Sequence, residues 1–155
     1  MRVLLQRVSS ARVDTAAGTI GSIGTGLLVF LAIGKQDTEK EADYLLDKIA
    51  GLRIFPDDRG RFDRNLEQAG GALLVVSQFT LYADCSRGRR PGFDEAAPPE
   101  QARALYEFFI FAARRRNLTV KTGEFQASMQ VTLVNEGPVT IWLDTVTLRS
   151  VAASK

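Results

Sequence analysis

Gly26-Leu27-Leu28-Val29-Phe30-Leu31-Ala32-Ile33-Gly34 is the stretch from which the fold is read. Its apolar run is continuous, with no polar position recurring every second residue, so no face is set aside for water. Leu27 to Ile33 therefore predicts a strand in the middle of a sheet, covered on both sides. The run is the longest apolar one in the chain and is too short to cross a bilayer. Immediately after it, Asp37 or Thr38 offers an N-cap. Glu41 completes a capping box with Thr38, and Ala42, Leu45, Leu46, Ile49 and Ala50 form one helical stripe that Gly51 is placed to end.

Working outward, Met1 to Val13 reads as a strand and Gly18 to Gly21 as a short one after a small-residue turn. Phe55 to Gly71 is turn-rich and has room for a short strand pair. Ala72 to Val76 is a second buried strand that runs directly into Ser77-Gln78-Phe79-Thr80. Pro98-Pro99-Glu100 opens a long helix whose stripe is Ala104, Leu105, Phe108, Phe109 and Ala112. Thr119 to Thr122, Phe125 to Val134 and Val139 to Leu148 read as strands, the last two separated by a turn at Asn135-Glu136-Gly137-Pro138.

The 155 residues suit one domain, and 45% hydrophobic with 25% charged residues excludes disorder and coiled coil. Arg2, Gln6 and Arg7 stand where a signal peptide needs an apolar core, so the cytoplasm is the expected compartment and no membrane partner is expected. Cys85 is the single cysteine and cannot form an internal disulfide. The chain has no histidine. That removes Ser-His-Asp triads, Cys-His pairs, histidine bases and histidine-ligated metals, and no metal or cofactor is expected. Catalysis is left to hydroxyls, carboxylates, amides, backbone N–H groups or the substrate. A net charge of +2 does not predict nucleic-acid binding in bulk, and no DNA partner is expected. The basic residues are clustered, however, at Arg87, Arg89 and Arg90 and at Arg114, Arg115 and Arg116. The second cluster suits a helix C-terminus, where the dipole favours cations, and equally an RNA backbone contact.

Two segments break their local pattern. In Ser77-Gln78-Phe79-Thr80-Leu81 an apolar strand ends in two hydroxyls and an amide, as at a ligand site or where a strand surfaces. Asn135-Glu136-Gly137-Pro138-Val139-Thr140 has the composition of a hairpin turn, and its Gly-Pro step is open to a cis bond that would aim its carbonyls rigidly.

Together these segments resemble the paired signature motifs of the D-aminoacyl-tRNA deacylases. The likeness extends in order through Leu5-Gln6-Arg7-Val8, Gly21-Ser22-Ile23-Gly24, Arg53-Ile54-Phe55, Gln68-Ala69-Gly70-Gly71, Arg90-Pro91-Gly92-Phe93 and Met129-Gln130-Val131, leaving only about Val146 to Lys155 outside the family's usual end. The expected architecture is α+β, a single domain over residues 1–148. Mixed and antiparallel sheets form a barrel-like core with two main helices outside, and a flexible tail spans 149–155.

The resemblance implies a homodimer with active sites at the subunit interface. These hydrolyse the ester joining a D-amino acid, or glycine, to the terminal adenosine of tRNA. It implies a cis Gly137–Pro138 bond that reaches into the partner's site, where two carbonyls exclude an L side chain, and it assigns Arg7 to orienting this motif. Thr80 is read in the family as a nucleophile, yet no base adjoins it in sequence. A substrate-assisted route asks less of the protein: the ribose 2′-OH activates water, the Phe79 N–H stabilises the oxyanion, and Ser77, Gln78 and Thr80 position the substrate. Met129 and Phe125 are candidates for the wall around adenine, as well as for plain core. The rivals are a non-catalytic RNA-binding dimer module and a related deacylase with altered chiral preference.

Overall fold

The computed structural model describes residues 1–148; the expected tail at 149–155 lies outside the described residues. Its strands are β1 (Arg2–Thr15), β2 (Gly18–Ile23), β3 (Gly26–Ala32), β4 (Phe55–Pro56), β5 (Phe62–Arg64), β6 (Ala72–Ser77), β7 (Val120–Thr122) and β8 (Gln130–Asp144). Its two main helices are α1 (Glu39–Gly51) and α2 (Pro99–Arg115).

The apolar run does form the middle of the main sheet. β3 lies between antiparallel β1 and parallel β6 in the order β2-β1-β3-β6-β7, and β8 pairs along β1. Alternate side chains of β3 serve two separate cores. Leu27, Val29 and Leu31 face the layer shared with α1 and α2, while Leu28 joins Val8, Ala11, Val13, Ile23, Leu74 and Val76. The second group fills the inside of a nearly closed barrel. Closure comes where β2 approaches β7: a Cβ on Gly21 would lie 2.5 Å from the Thr122 carbonyl oxygen, so only glycine fits. The fold is thus the expected mixed α+β barrel with two helices outside.

The capping box on α1 is present, with the Thr38 side chain accepting from the Lys40 N–H and Glu41 reaching back to the Thr38 N–H at 2.8 Å. Pro99 starts α2. Gly51 ends α1 as expected, and Leu52 caps it in an extended conformation. Three local readings need correction. Ala104 is exposed and Phe108 half-buried; α2 instead buries Leu105, Tyr106, Phe109, Ile110, Ala112 and Ala113, because it packs on both α1 and the sheet. Residues 125–129 are a turn rather than strand, broken by Gln126 at φ 66°. The last strand ends at Asp144, and 145–148 is a helical turn.

The largest departure is at Asn135-Glu136-Gly137-Pro138. This segment is a bulge inside one long strand, not a turn between two. Both halves of β8 pair with β1, but between Gln6↔Thr140 and Val8↔Asn135 β1 advances two residues while β8 advances five. The surplus residues loop outward.

Candidate active site

The parallel pair β3 and β6 ends in a cleft of about 640 Å³. Its floor is Leu31 to Ile33 and Val76 to Gln78. One wall is the loop before α2, pinned to the end of β3 by Ala97 N–H donating to the Ile33 carbonyl at 2.9 Å and Lys35 N–H to the Glu95 carbonyl at 3.2 Å. The other is the turn carrying Phe125 and Met129, both half-buried and facing the cleft rather than sealed in core. A cleft beyond the carboxyl ends of parallel strands is where an α/β sheet opens, since the connections there diverge.

Ser77 sits opposite Leu31 at the end of the β3–β6 ladder, and the Gln78 N–H extends that ladder to the Leu31 carbonyl at 2.8 Å. The chain then coils into a 3-10 turn, Phe79–Tyr82. As the first residue of that turn, Phe79 has a backbone N–H with no acceptor among the described residues. The Phe79 ring is exposed and meets Phe93 edge-on, with centroids 5.0 Å apart. Gln78 Nε2 donates to Thr80 Oγ1 at 2.5 Å, while Thr80 itself is exposed and outside the cleft lining. The hydroxyl of Thr80 thus faces an amide, which cannot take its proton.

Three residues that sequence reasoning did not assign to the site brace the turn from below. Arg2 donates to the Leu81 carbonyl at 3.1 Å and lies 4.3 Å over the Tyr82 ring. Tyr82 donates to Asp37 at 3.4 Å, and burial together with the Asp37 charge pushes its phenol well above the ordinary value, so it stays protonated. Asp37 is buried and also accepts from the Gly34 N–H at 2.6 Å. The available signal was Asp37 itself, a carboxylate beside a capping box already complete without it.

The second motif is built elsewhere. The Gly137–Pro138 bond is cis, and both residues are exposed at the bulge. Asn135 ties the bulge's neck, its Nδ2 donating to Thr140 Oγ1 at 2.8 Å and its Oδ1 accepting from the Val139 N–H at 3.2 Å. Arg7 lies beneath, 6% exposed, donating from Nη1 to the Ile54 carbonyl at 2.6 Å, with Nε 3.6 Å from Glu136 Oε2. Its guanidinium also stands 5.4 Å over the ring of Phe62, from the β4–β5 hairpin.

One chain does not unite the two motifs. Arg7 pairs opposite Leu27 and Ser77 opposite Leu31, so four residues of β3, roughly 13 Å, separate them along the strand. The cleft gathers Ser77, Gln78, Phe79, Phe125 and Met129 and adjoins Thr80; Arg7, Gly137 and Pro138 lie toward the sheet's other end.

The sequence from residue 4 to 144 matches the family model described as D-Tyr-tRNA(Tyr) deacylase. The chain belongs to that family. A D-aminoacyl-tRNA deacylase of Solibacter usitatus is 54% identical, over 93% of this chain and 95% of the relative. One from a Ruegeria species is 54% identical over 99% of this chain and 98% of its own length. Among solved structures, one described as c-Myc DNA Unwinding Element Binding Protein superposes with a TM-score of 0.87 at 38% identity, covering 93% of this chain and 98% of the other. The structure of a probable eukaryotic D-amino acid tRNA deacylase shares the fold, with a TM-score of 0.81 at 17% identity over 92% of this chain and 97% of the other. The sequence resemblance to deacylases is therefore correct. Among the described residues no helix is long and apolar enough to cross a membrane, and no group of three or more metal-ligating side chains occurs.

Proposed function

We propose that this protein hydrolyses the ester between a D-amino acid and the terminal adenosine of tRNA, leaving the L-enantiomer intact. Family membership supplies the reaction class, and the observation that carries the reading is the cleft, which collects Ser77, Gln78, Phe79, Phe125 and Met129 around one space. In the proposed mechanism the free Phe79 N–H receives the oxyanion, Ser77 and Gln78 orient the ester, and Phe125 and Met129 flank adenine. The ribose 2′-OH activates water. The Gln78 amide on Thr80 supports this choice, since it offers the hydroxyl no base and leaves it a positioning role.

Chirality enters through a second copy of the chain. Gly137 and Pro138 stand too far from their own Ser77, so they act from a partner subunit, held in aim by Arg7 and Asn135. A rejection that works on the side chain has nothing to grip on glycine, so glycyl esters, including glycine mischarged on tRNA for alanine, are substrates too. The test is deacylation of matched D- and L-aminoacyl-tRNA with sedimentation of the same sample. Selective D-hydrolysis by a dimer supports the reading, and equal hydrolysis of both enantiomers or none by folded protein refutes it.

A further inference from the structure

The three arginines at the end of α2 look equivalent in sequence but have separate fates. Arg116 pairs with Asp43 at 3.4 Å and Asp47 at 3.2 Å, holding α2 to α1. Arg115 lies 5.8 Å from the Phe111 ring centroid. Arg114 has no carboxylate within 4.0 Å among the described residues and instead lines a groove of about 330 Å³. Arg103 stands at the other end of that groove, 4.7 Å over the Phe125 ring and bonded to Gln126 at 3.3 Å. The two arginines are three helical turns apart on one side of α2, about 16 Å along its axis.

Phe125 is a wall of both the groove and the active-site cleft, so the two spaces adjoin at its ring. Between the arginines the groove offers Phe111, an aromatic ring left 58% exposed. Cations spaced along a groove with an exposed aromatic between them are what single-stranded nucleic acid binds, phosphates on the charges and a base on the ring. One group works against it: the Glu107 carboxylate also lines the groove.

We propose that this groove carries the single-stranded nucleotides preceding the terminal adenosine, with Arg103 and Arg114 on their phosphates and Phe111 under a base. The assignment of which RNA end enters rests on the deacylase reading; the track itself does not. Its recognition is independent of sequence, because phosphates and base faces are common to every tRNA.

The test reads binding apart from turnover. Uncharged tRNA labelled with fluorescein at its 5′ end is titrated with wild-type protein and variants, by anisotropy, across a salt series. Arg103→Gln and Arg114→Gln should each weaken binding several-fold and lower the slope of log affinity against log salt by about 0.7. Arg116→Gln, which removes the same charge from the same helix end, should bind within about twofold of wild type, and Glu107→Gln should bind more tightly. With charged substrate, Arg114→Gln should raise KM and leave kcat.

Unchanged affinity and slope in both track variants overturn the proposal, as does an Arg116→Gln loss equal to that of Arg114→Gln, which would mark a bulk charge effect. If wild type binds in this pattern but hydrolyses no D-aminoacyl-tRNA, the track stands and the deacylase reading falls. If it hydrolyses while Arg89→Gln and Arg90→Gln, not the α2 variants, weaken binding, the deacylase reading stands and the track falls.

Discussion

Gly137→Ala is the most informative single change. Gly137 has φ +121°, a region that L side chains rarely adopt, and forcing one there costs about 1–3 kcal/mol. Its Cβ would also fall 2.8 Å from Val139 Cγ2 and 3.0 Å from Arg7 Nη2. Both neighbours are buried, so neither gives freely, and overpacking of this kind adds about 1–3 kcal/mol. For a chain of this size each kcal/mol lowers Tm by about 2–4 °C, so the full cost, taken as stability, is a drop of roughly 4–24 °C. Any part relieved by moving the bulge shows instead as lost aim, at tenfold in rate or selectivity for each 1.4 kcal/mol, approximately.

Gly18→Ala separates the two contributions. Gly18 has φ +106° with nothing within 4 Å of the added Cβ. It should show the backbone cost alone, a lower Tm with an unchanged ratio of D to L hydrolysis. Thermal unfolding and deacylation of D- and L-aminoacyl-tRNA are measured on both variants. Gly137→Ala with Tm within about a degree of wild type and an unaltered D/L ratio would refute the argument, because neither the strain nor the contacts would then have been felt.

Thr80→Ala should retain activity within about tenfold, whereas tRNA ending in 2′-deoxyadenosine should react far more slowly; an acyl-Thr80 adduct in a mass spectrum would reverse the roles. Activity should survive EDTA, because the chain has no histidine and one cysteine, and loss restored by a divalent ion would count against the mechanism. Co-expressed Gln78→Ala and Gly137→Ala chains, each impaired alone, should recover about a quarter of wild-type activity, since half of randomly mixed dimers are hybrids and each hybrid holds one intact composite site. No recovery despite proven hybrids would place both motifs in one subunit's site.

The parts of the fold legible in the sequence are those fixed by local chemistry or by period. Leu27 to Ile33 announces two covered faces because no alternate position is polar, and Thr38 with Glu41 closes a capping box using neighbours alone. The bulge was not legible, for a definite reason: Asn, Gly and Pro serve a hairpin and a bulge equally, and the difference lies in whether the two flanking strands pair with each other or with a third. Here both halves of β8 pair with β1, a partner more than a hundred residues away. Phe125 to Val134 misled in a similar way, since the alternation of Phe125, Ala127, Met129 and Val131 has strand period while Gln126 sits at positive φ. The arginines at 114–116 were undecidable in sequence because only Asp43 and Asp47 on α1 tell Arg116 from Arg114.

The same topology gives the proposed dimer its physical basis. Parallel pairing of β3 with β6 puts Ser77 and its cleft at the carboxyl end of β3, whereas antiparallel pairing through β1 puts the β8 bulge beside the amino end. No rotamer change spans that distance, so cooperation between the motifs requires a second chain. β8 is also suited to meet one. It is fifteen residues long, pairs only with β1 among the described strands, and leaves Val134 and Trp142 exposed on either side of the bulge. A long edge strand with open hydrogen-bonding groups and exposed apolar side chains draws other chains unless it is covered. In the proposed assembly a partner subunit covers that edge, and the contact that removes the exposed edge is the one that carries Gly137 and Pro138 to the neighbouring cleft.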